Sequence, residues 1–277
     1  MNPERTGGSM LPPDAQTLAA FGLAGEEPVA LPYGEERSYR VGNAVLKNVR
    51  GDVLEVVRWA ADLHATLHED GFRLARPIPT ENGDWLSETG WLASALLEGH
   101  HDYRQHVPAC IDAIERYHLA LQEQPRPAFF DTLDSPFRRA DRAAFGDRPA
   151  QVHPELATQV DQLYALRRPL AGLADRLIHG DLNPSNLLIA DGLPPGIIDI
   201  APYWRPAGFA LAVFAYWIGP WRNRPDLLVH FAHIDQFDQL LVRAGLRMLL
   251  SMSESGHLTD LEWYARATRT IVERLSR

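Results

Sequence analysis

The chain has 277 residues, of which 45% are hydrophobic and 23% are charged, and its formal net charge is −9. This length and composition are typical of a folded globular protein and exclude a disulfide-stapled miniprotein and a disordered chain. The acidic balance offers no positive field to a phosphate backbone or an anionic lipid surface, so neither nucleic acid nor a membrane is an expected partner. We expect a small-molecule partner and a protein that is a monomer or a homodimer.

Cysteine usage and the length of the apolar runs predict a cytoplasmic protein. Cys110 is the only cysteine, so an internal disulfide is impossible, and no Cys/His cluster has the spacing of a structural zinc site. Residues 1–13 lack the apolar segment of a signal peptide, and the longest apolar run, residues 209–218, is too short to span a bilayer. A reducing compartment suits such a chain.

Residues 1–97 are predicted to form short strands and one main helix. Apolar residues recur with helical spacing over residues 53–67, and Asp52 is the predicted N-cap of that helix. Gly34 and Gly42 interrupt the β-like runs before it, as in an antiparallel meander. The predicted elements are a short helix at residues 16–21, strands at residues 29–31, 38–41, 44–49, 74–79 and 90–97, and the helix at residues 53–67.

Residues 98–277 are predicted to be mostly helical. Two apolar runs, residues 187–189 and 196–200, are separated by the turn signal Asp191-Gly192 and predict a β-hairpin. The last helix opens with the capping-box pattern from Thr259 to Glu262. The predicted helices cover residues 106–124, 135–145, 154–174, 209–217, 226–251 in two pieces, and 259–277.

Three oxygen-bearing side chains at fixed spacing lie at the ends of a loop and of this hairpin. Asp181 follows His179-Gly180, Asn186 comes five residues later, and Asp199 comes thirteen residues after Asn186, within the second apolar run. The hairpin returns Asp199 beside Asn186. Carboxylate and amide oxygens presented together are hard ligands suited to Mg²⁺, which nucleotide phosphates complete. Asp181 would then face a third component.

Lysine usage singles out one further residue. Of the 27 basic side chains only Lys47 is a lysine, and it lies on the third predicted strand. A genome-wide bias toward arginine explains the arginines and not the exception. A lysine is a compact point charge, suited to one phosphate oxygen, whereas arginine presents a planar fork. Lys47 is therefore a candidate phosphate-binding residue.

These residues resemble the aminoglycoside phosphotransferase and choline kinase-like family of small-molecule kinases. The family signature is His-Gly-Asp, four residues, Asn, and then an apolar-apolar-Asp strand, and the run from Tyr203 to Pro206 resembles actinobacterial members. The resemblance covers almost the whole chain. It implies an α+β, bilobal, protein-kinase-like fold, with a small antiparallel N-terminal lobe carrying one helix at residues 1–97. A hinge and a larger, mostly helical lobe with the catalytic loop and acceptor site would occupy residues 98–277.

The resemblance also implies roles for the polar residues. Asp181 would accept the proton of the substrate hydroxyl or orient that hydroxyl for in-line attack. Asn186 and Asp199 would hold Mg²⁺ against the phosphates of ATP. Lys47 would pair with the α- and β-phosphates and would be positioned by a helix carboxylate, for which Glu55 is the preferred candidate and Asp52, the predicted N-cap, is the rival.

The remaining nucleotide contacts are implied in the same way. Leu188 and Ile198 would face the adenine, although both also suit an ordinary apolar core. The other implied contacts are the phosphate-loop turn from Gly34 to Ser38 and the hinge backbone at Leu96, Leu97 and Glu98, which would read the edge of the base.

Three departures from the family pattern leave room for slow turnover or an unusual acceptor. The turn from Gly34 to Ser38 carries one glycine rather than a glycine-rich triplet. Ala210 stands where family members often carry the Asp of an Asp-Leu-Ala element, which anchors the catalytic loop. Asn183 replaces a basic residue or a histidine often found two residues after the catalytic Asp.

The predicted activity is Mg²⁺-dependent transfer of the γ-phosphoryl group of ATP, rather than GTP, to a hydroxyl of a small molecule. The alternative is a catalytically silent, nucleotide-binding regulatory module of the same fold, which would have no need for Asp181. Aminoglycosides are polycations, yet the acidic excess lies in residues 1–100. We therefore expect a sugar or another metabolite of little charge as the acceptor. Trp217 and Trp221 are candidates for core or for an acceptor wall, and Arg205 for an acceptor contact or a carboxylate pair.

Overall fold

The computed structural model describes residues 11–32, 38–49, 53–256, 258 and 260–276. The chain divides into two compact units. The first takes in Met1–His100 and Leu188–Ile198, and the second takes in His101–Leu187 and Asp199–Arg277. The boundary expected at residue 97 stays a prediction about the functional lobes. Within the described ranges, the helices are all too short or too polar to cross a membrane.

Ten strands and eight helices make up the regular structure of the described residues. The strands are β1 (Val29–Ala30), β2 (Ser38–Val41), β3 (Ala44–Asn48), β4 (Arg73–Leu74), β5 (Pro77–Ile78), β6 (Trp91–Ala95), β7 (Asp175–His179), β8 (Leu187–Leu188), β9 (Gly196–Ile197) and β10 (Pro202–Pro206). The helices are α1 (Ala15–Ala20), α2 (Leu54–Thr66), α3 (Val107–Leu121), α4 (Pro136–Phe145), α5 (Ala157–Leu166), α6 (Ala207–Ile218), α7 (Phe237–Ser255) and α8 (Leu261–Leu275).

The first unit is built on a five-stranded antiparallel sheet. Its strand order is β1-β2-β3-β6-β5. Successive side chains of a strand point to opposite faces, so the alternation along β3 separates a buried face from a half-buried one. The buried face packs against α1, and its members are Leu18, Phe21, Tyr39, Val41, Ala44, Leu46, Trp91 and Ala93. Lys47 consequently lies on the opposite face.

A second, three-stranded sheet of the first unit has the order β4-β9-β8. The two strands of the expected hairpin do lie side by side in it, although each is only two residues long. The parallel pairing of β9 with β4, in which Arg73 faces Gly196, has no local signal in the sequence. The run at residues 74–79 was predicted as one strand; the structure divides it between β4 and β5.

The segment before the helical unit is held tightly against β8. His100 and Ile189 exchange two backbone hydrogen bonds, of 2.9 and 2.8 Å. Gly99 lies in the segment between the end of β6 and His100. Its φ of +141° is a backbone conformation that residues with a side chain rarely adopt. A Cβ atom at Gly99 would lie 2.8 Å from the carbonyl oxygen of Ile189. Glycine is therefore required at this position.

The second unit contains helices α3 to α8 and a two-stranded antiparallel sheet, β10-β7. The helix expected at residues 154–174 was wrong in its C-terminal part. It ends at Leu166 because Arg167 is extended, with Pro169 two residues later, and β7 begins at Asp175. The strand β10, flanked by prolines at both ends, was not predicted. The predicted division of residues 226–251 into two pieces is confirmed by a 3-10 turn at Pro225–Phe231 followed by α7.

Two N-cap predictions fall on or beside undescribed residues. Asp52 lies outside the described residues, and α2 begins at Leu54 after Val53, which makes no side-chain cap. Thr259 of the expected capping box is likewise outside them, and Asp260 precedes α8 without a side-chain cap. The turn at Gly34 is also not described.

We predict that Gly99→Ala destabilises the first unit by about 3 kcal/mol, because the new Cβ meets a backbone oxygen that cannot rotate away and the positive φ is strained. Gly83→Ala is the matched control, since Gly83 also has a positive φ, +82°, but no atom of the described part of the chain lies within 4 Å of its added Cβ. It should cost about 1 kcal/mol. Urea unfolding of both variants measures the difference, and equal losses would contradict the close approach at Gly99.

Candidate active site

The segment that follows β7 presents Asp181 to solvent. Asp181 is exposed, while its neighbours His179 and Leu182 have no exposed surface. The backbone N–H of Asp181 donates to Nδ1 of His179 at 3.2 Å. A carboxylate that is accessible on a fixed backbone is suited to contact a substrate hydroxyl.

Two buried histidines, His179 and His118, hold this segment through hydrogen bonds to its backbone. The Nδ1 atom of His179 accepts from the N–H groups of Asp181 and of Ala201, the latter at 3.4 Å. The N–H of His179 donates to Nε2 of His118 at 3.1 Å, and Nδ1 of His118 is 2.7 Å from the carbonyl oxygen of Ile114. The proton of His118 is therefore on Nδ1, because Nε2 must accept. Burial lowers the pKa of His118 from 6.5 to about 4, which keeps this acceptor available at neutral pH.

Gly180 allows a closer approach than any other residue type could. A Cβ atom there would lie 2.2 Å from Cδ2 of Tyr203. The N–H of Gly180 donates to the carbonyl oxygen of Ala201 at 2.7 Å, and its own carbonyl accepts from the guanidinium of Arg247. The backbone immediately before Asp181 is thus fixed by a ring, a strand and an arginine.

Asn186 and Asp199 come to the same end of the β7–β10 sheet as Asp181. The Nδ2 group of Asn186 donates to the carbonyl oxygen of Asp181 at 2.7 Å, which leaves Oδ1 without a partner among the described residues. Asp199 is exposed and has a φ of +55°, uncommon for a residue other than glycine. It precedes Ala201, the partner of Gly180, by two residues.

This donor set fits Mg²⁺. One amide oxygen and one exposed carboxylate are hard oxygen ligands, and Mg²⁺ prefers a few such ligands together with waters and substrate phosphates. The hydrogen bond from Nδ2 determines which end of the Asn186 amide is presented. The expected pairing of Asp199 with Asn186 as metal ligands stays a prediction.

An arginine network lies beside the segment. Arg205 donates to Asp141 at 2.8 Å and to Asp147 at 2.8 Å, so of the two roles considered for Arg205 the carboxylate pair is the one observed. Asp141 also lies 3.8 Å from Arg247. Ala210 is fully buried and supplies no polar contact. In this chain the side chain that contacts the Gly180 carbonyl is Arg247, which sequence reasoning missed because it lies 67 residues away in the chain.

The first unit contains the other candidate residues. Lys47 is half-buried on β3 and faces Ser38 directly across the β2–β3 pair. Glu55 lies in the first turn of α2, is exposed, and forms no ion pair within the described residues. Its pairing with Lys47 stays a prediction, as does the role of Gly34, which lies outside the described residues.

The candidate adenine-binding residues gather around Gly196. A Cβ atom on Gly196 would lie 2.9 Å from Cδ1 of Leu97 and 3.5 Å from Cβ of Leu188. The N–H of Leu96 donates to Asn43, and the carbonyl oxygen of Glu98 accepts from Arg73 at 3.1 Å. Ile198 is half-buried at the end of the same sheet. Leu97 and Leu188 are thus brought together, while the contacts of Ile198 with a base stay a prediction.

Three tryptophans, on α6, in the turn after it and on α8, pack against one another. The ring centroids of Trp217 and Trp221 are 5.3 Å apart, and those of Trp221 and Trp263 are also 5.3 Å apart. All three indoles are half-buried. Both roles considered from the sequence, core and acceptor wall, remain compatible with this arrangement.

Comparisons with known proteins agree with this architecture. The model of the phosphotransferase enzyme family, APH, matches residues 32–218. No curated protein matches the chain. The α+β, protein-kinase-like fold expected from the sequence is confirmed by similar solved structures of kinases.

Three of these solved structures illustrate the likeness. An apo thermostable mutant of the aminoglycoside phosphotransferase APH(4)-Ia has a TM-score of 0.60 and 16% identity, with 94% of this chain and 97% of that chain covered. The choline kinase LicA from Streptococcus pneumoniae has a TM-score of 0.58 and 13% identity, covering 89% and 93%. Amicoumacin kinase hAmiN, in complex with AMP-PNP, Ca²⁺ and Ami, has a TM-score of 0.57 and 13% identity, covering 90% and 88%.

We predict that the free energy of unfolding falls as pH decreases from 6.5 to 4, in part through His118. The unfolded histidine takes up a proton near pH 6.5, whereas the folded one does so only near pH 4, so stability is full above the first value and is lost below it. The slope contributed is about 1.4 kcal/mol per pH unit. His118→Gln should reduce this slope in urea unfolding measured at several pH values.

His64→Gln is the matched control, because burial also lowers the pKa of His64 to about 4 and it lies in the first unit. Both variants should reduce the slope, but only His118→Gln should speed hydrogen exchange of the His179 amide, which donates to His118. Unchanged exchange in that variant would show that His118 does not hold the segment.

Proposed function

Because the chain belongs to the phosphotransferase enzyme family and is an ATP-dependent small-molecule kinase, we propose that it transfers the γ-phosphoryl group of ATP, with Mg²⁺, to a hydroxyl of a small metabolite. The observation that carries this proposal is the presentation of Asp181. Its carboxylate is exposed, while the backbone on either side of it is held by His179, Gly180 and Asn186. A binding module would have no use for an accessible carboxylate in a fixed position.

Asp181 acts on the acceptor hydroxyl. Its carboxylate accepts a hydrogen bond from the hydroxyl and directs the oxygen toward the γ-phosphorus for in-line attack. As the new oxygen–phosphorus bond forms and the bond to the bridging oxygen of ATP breaks, the hydroxyl proton passes to Asp181 and ADP leaves. Positioning is the larger part of this catalysis, because phosphoryl transfer makes few covalent demands on the protein.

Asn186 and Asp199 are the residues that would hold the metal ion. When bound, Mg²⁺ neutralises phosphate charge and supports the leaving group. The hydrogen bond from Nδ2 of Asn186 to Asp181 couples the ligand amide to the segment that bears the base. The same hydrogen-bonded segment therefore positions both the metal ligand and the group that contacts the hydroxyl.

Lys47 would contact the α- and β-phosphates as a point charge, with Glu55 as its positioning carboxylate. Around the rest of the nucleotide we propose backbone contacts in the phosphate turn and the hinge, and apolar contacts on the adenine. These proposed residues are Gly34, Ser38, Leu96, Leu97, Glu98, Leu188 and Ile198.

A metabolite or a sugar is the proposed acceptor, rather than an aminoglycoside. The solved structures named above include an aminoglycoside phosphotransferase, a choline kinase and an amicoumacin kinase, so the family fold does not determine the acceptor. The charge distribution is the supporting argument, since most of the acidic excess lies outside residues 101–277. Use of ATP also suits the proposed cytoplasmic location.

Two substitutions test the proposed roles. Asp181→Asn should keep Mg·ATP binding and lower turnover by about a thousandfold, because the side chain keeps its shape and loses the ability to accept a proton. Asp199→Ala should abolish metal-dependent ATP binding, because the phosphates lose their bridging cation. Calorimetry with Mg·ATP and a phosphate-release assay over a set of hydroxylated metabolites measure the two effects.

Asp191→Asn is the matched control, since Asp191 is exposed in the turn between β8 and β9. It should behave like the wild type in both assays. Equal ATP hydrolysis and transfer by the wild type and Asp181→Asn would remove Asp181 from the chemistry. Unchanged Mg·ATP affinity in Asp199→Ala would remove Asp199 from the metal site.

A further inference from the structure

Two arginines lie against the ring of Tyr203 in the second unit. The guanidinium carbon of Arg138, on α4, is 3.9 Å from the ring centroid, and that of Arg247, on α7, is 5.2 Å from it. Arg138 is half-buried and Arg247 is 8% exposed. Both side chains carry a full positive charge at neutral pH, so Tyr203 is the centre of a local cationic patch.

The nearest carboxylates form hydrogen bonds with Arg205 rather than with Arg138. Asp141 is buried and accepts from Arg205, while its contact with Arg247 is 3.8 Å, too long for a hydrogen bond. Among the residues that the structure describes, the Nη1 atom of Arg247 is buried without a hydrogen-bond partner. Arg138 has no ion pair or side-chain hydrogen bond within the described ranges. Arg205 thus has two carboxylate partners, Asp141 and Asp147, whereas Arg138 has none within hydrogen-bond distance in the described ranges.

Burial is the main influence on the pKa of Arg138. Burial, with a further contribution from the positive charge of Arg247, lowers the pKa of Arg138, and Tyr203 and Asp141 oppose that shift. A half-buried guanidinium with no anionic partner is costly to desolvate. An anion that reached its accessible side would relieve this cost.

The patch adjoins the segment that bears the proposed base. The ring of Tyr203 packs directly on Gly180, leaving no room for a Cβ, and Arg247 donates to the carbonyl of Gly180. The charge of Asp181 in turn acts on Tyr203. An acceptor whose hydroxyl meets Asp181 would thus have the cationic patch beside it.

We propose that the acceptor carries an anionic group, a carboxylate or a phosphate, which Arg138 binds next to the proposed base. This inference rests on the proposed function for the identity of the acceptor. The planar fork of an arginine matches both anions in a bidentate manner. Arg247 is too buried to touch the ligand and contributes its field, and a polycationic acceptor would meet repulsion at the same place. The near balance of charge over residues 101–277 conceals this local excess.

The first test measures binding without catalysis. Succinate and methyl phosphate serve as separate carboxylate and phosphate probes, with the nucleotide site saturated by Mg·ADP, and ligand-observed NMR gives their affinities. At least one probe should bind the wild type, and Arg138→Gln should weaken that probe at least tenfold, with Arg138→Lys intermediate. Arg116→Gln is the matched control, because Arg116 is an exposed arginine on α3 paired within its own helix. It should bind as the wild type does.

The second test measures transfer. In an acceptor screen with Mg·ATP, hydroxy acids or sugar phosphates should have the highest kcat/KM, ahead of neutral sugars and of aminoglycosides. Arg138→Gln should raise the KM of the anionic acceptor at least tenfold and change kcat less. Since KM responds more than kcat, a contact to the non-reacting part of the substrate is indicated, rather than a loss of fold.

The outcomes separate the two proposals. If neither probe binds, or if Arg138→Gln binds both as the wild type does, the anion subsite is overturned while kinase activity on neutral acceptors leaves the proposed function intact. Preference for a cationic acceptor would also overturn the subsite. If a probe binds through Arg138 but no hydroxyl acceptor is ever phosphorylated, the subsite stands as a binding site and the proposed function fails.

Discussion

Gly180 leaves no space for a side chain, and the position of the proposed base depends on that close approach. The Tyr203 ring occupies the volume where a Cβ would be, while the two polar groups of the Gly180 backbone are taken by Ala201 and Arg247. The strand β7 ends one residue earlier, at His179, whose Nδ1 atom accepts hydrogen bonds from the backbone N–H groups of Asp181 and Ala201. The chain therefore has little freedom before Asp181. The exposed carboxylate is therefore presented by a backbone that is itself held on several sides.

Buried charged side chains of the second unit also support the segment that carries Asp181. Asp141 on α4 pairs with Arg205 on β10 and lies near Arg247 on α7, so one carboxylate joins a helix, a strand and a second helix. Removing such a carboxylate would leave buried guanidinium groups uncompensated, which is far costlier than losing a surface pair. Ala210 stands where an acidic anchor is common in the family, and here an arginine contact to the Gly180 carbonyl supports the same segment.

The features that could be predicted from the sequence are those that depend on residues close together in the chain, such as motif spacing and helical periodicity. The spacing of Asp181, Asn186 and Asp199 and the single lysine on a strand pointed to the family, and the helices of both units were placed to within a few residues, apart from the end of α5. The strand β7 was missed because the helical pattern was continued through Pro169 to residue 174, and β10 was missed because it begins and ends with proline, which is rare in central strands. His118 and Arg247 contact the segment from 61 and 67 residues away, and a single sequence carries no signal for such pairings.

The central claim is that Asp181, Asn186 and Asp199 form the metal and acceptor end of a phosphoryl-transfer site. Paramagnetic NMR with Mn²⁺, which accepts the same oxygen ligands as Mg²⁺, tests it most directly. Mn·ATP should broaden the side-chain amide signals of Asn186 and the backbone amide of Gly180, and excess Mg·ATP should restore them. If Mn·ATP binds and broadens other signals while the Asn186 amide stays sharp, the metal lies elsewhere and the account is contradicted.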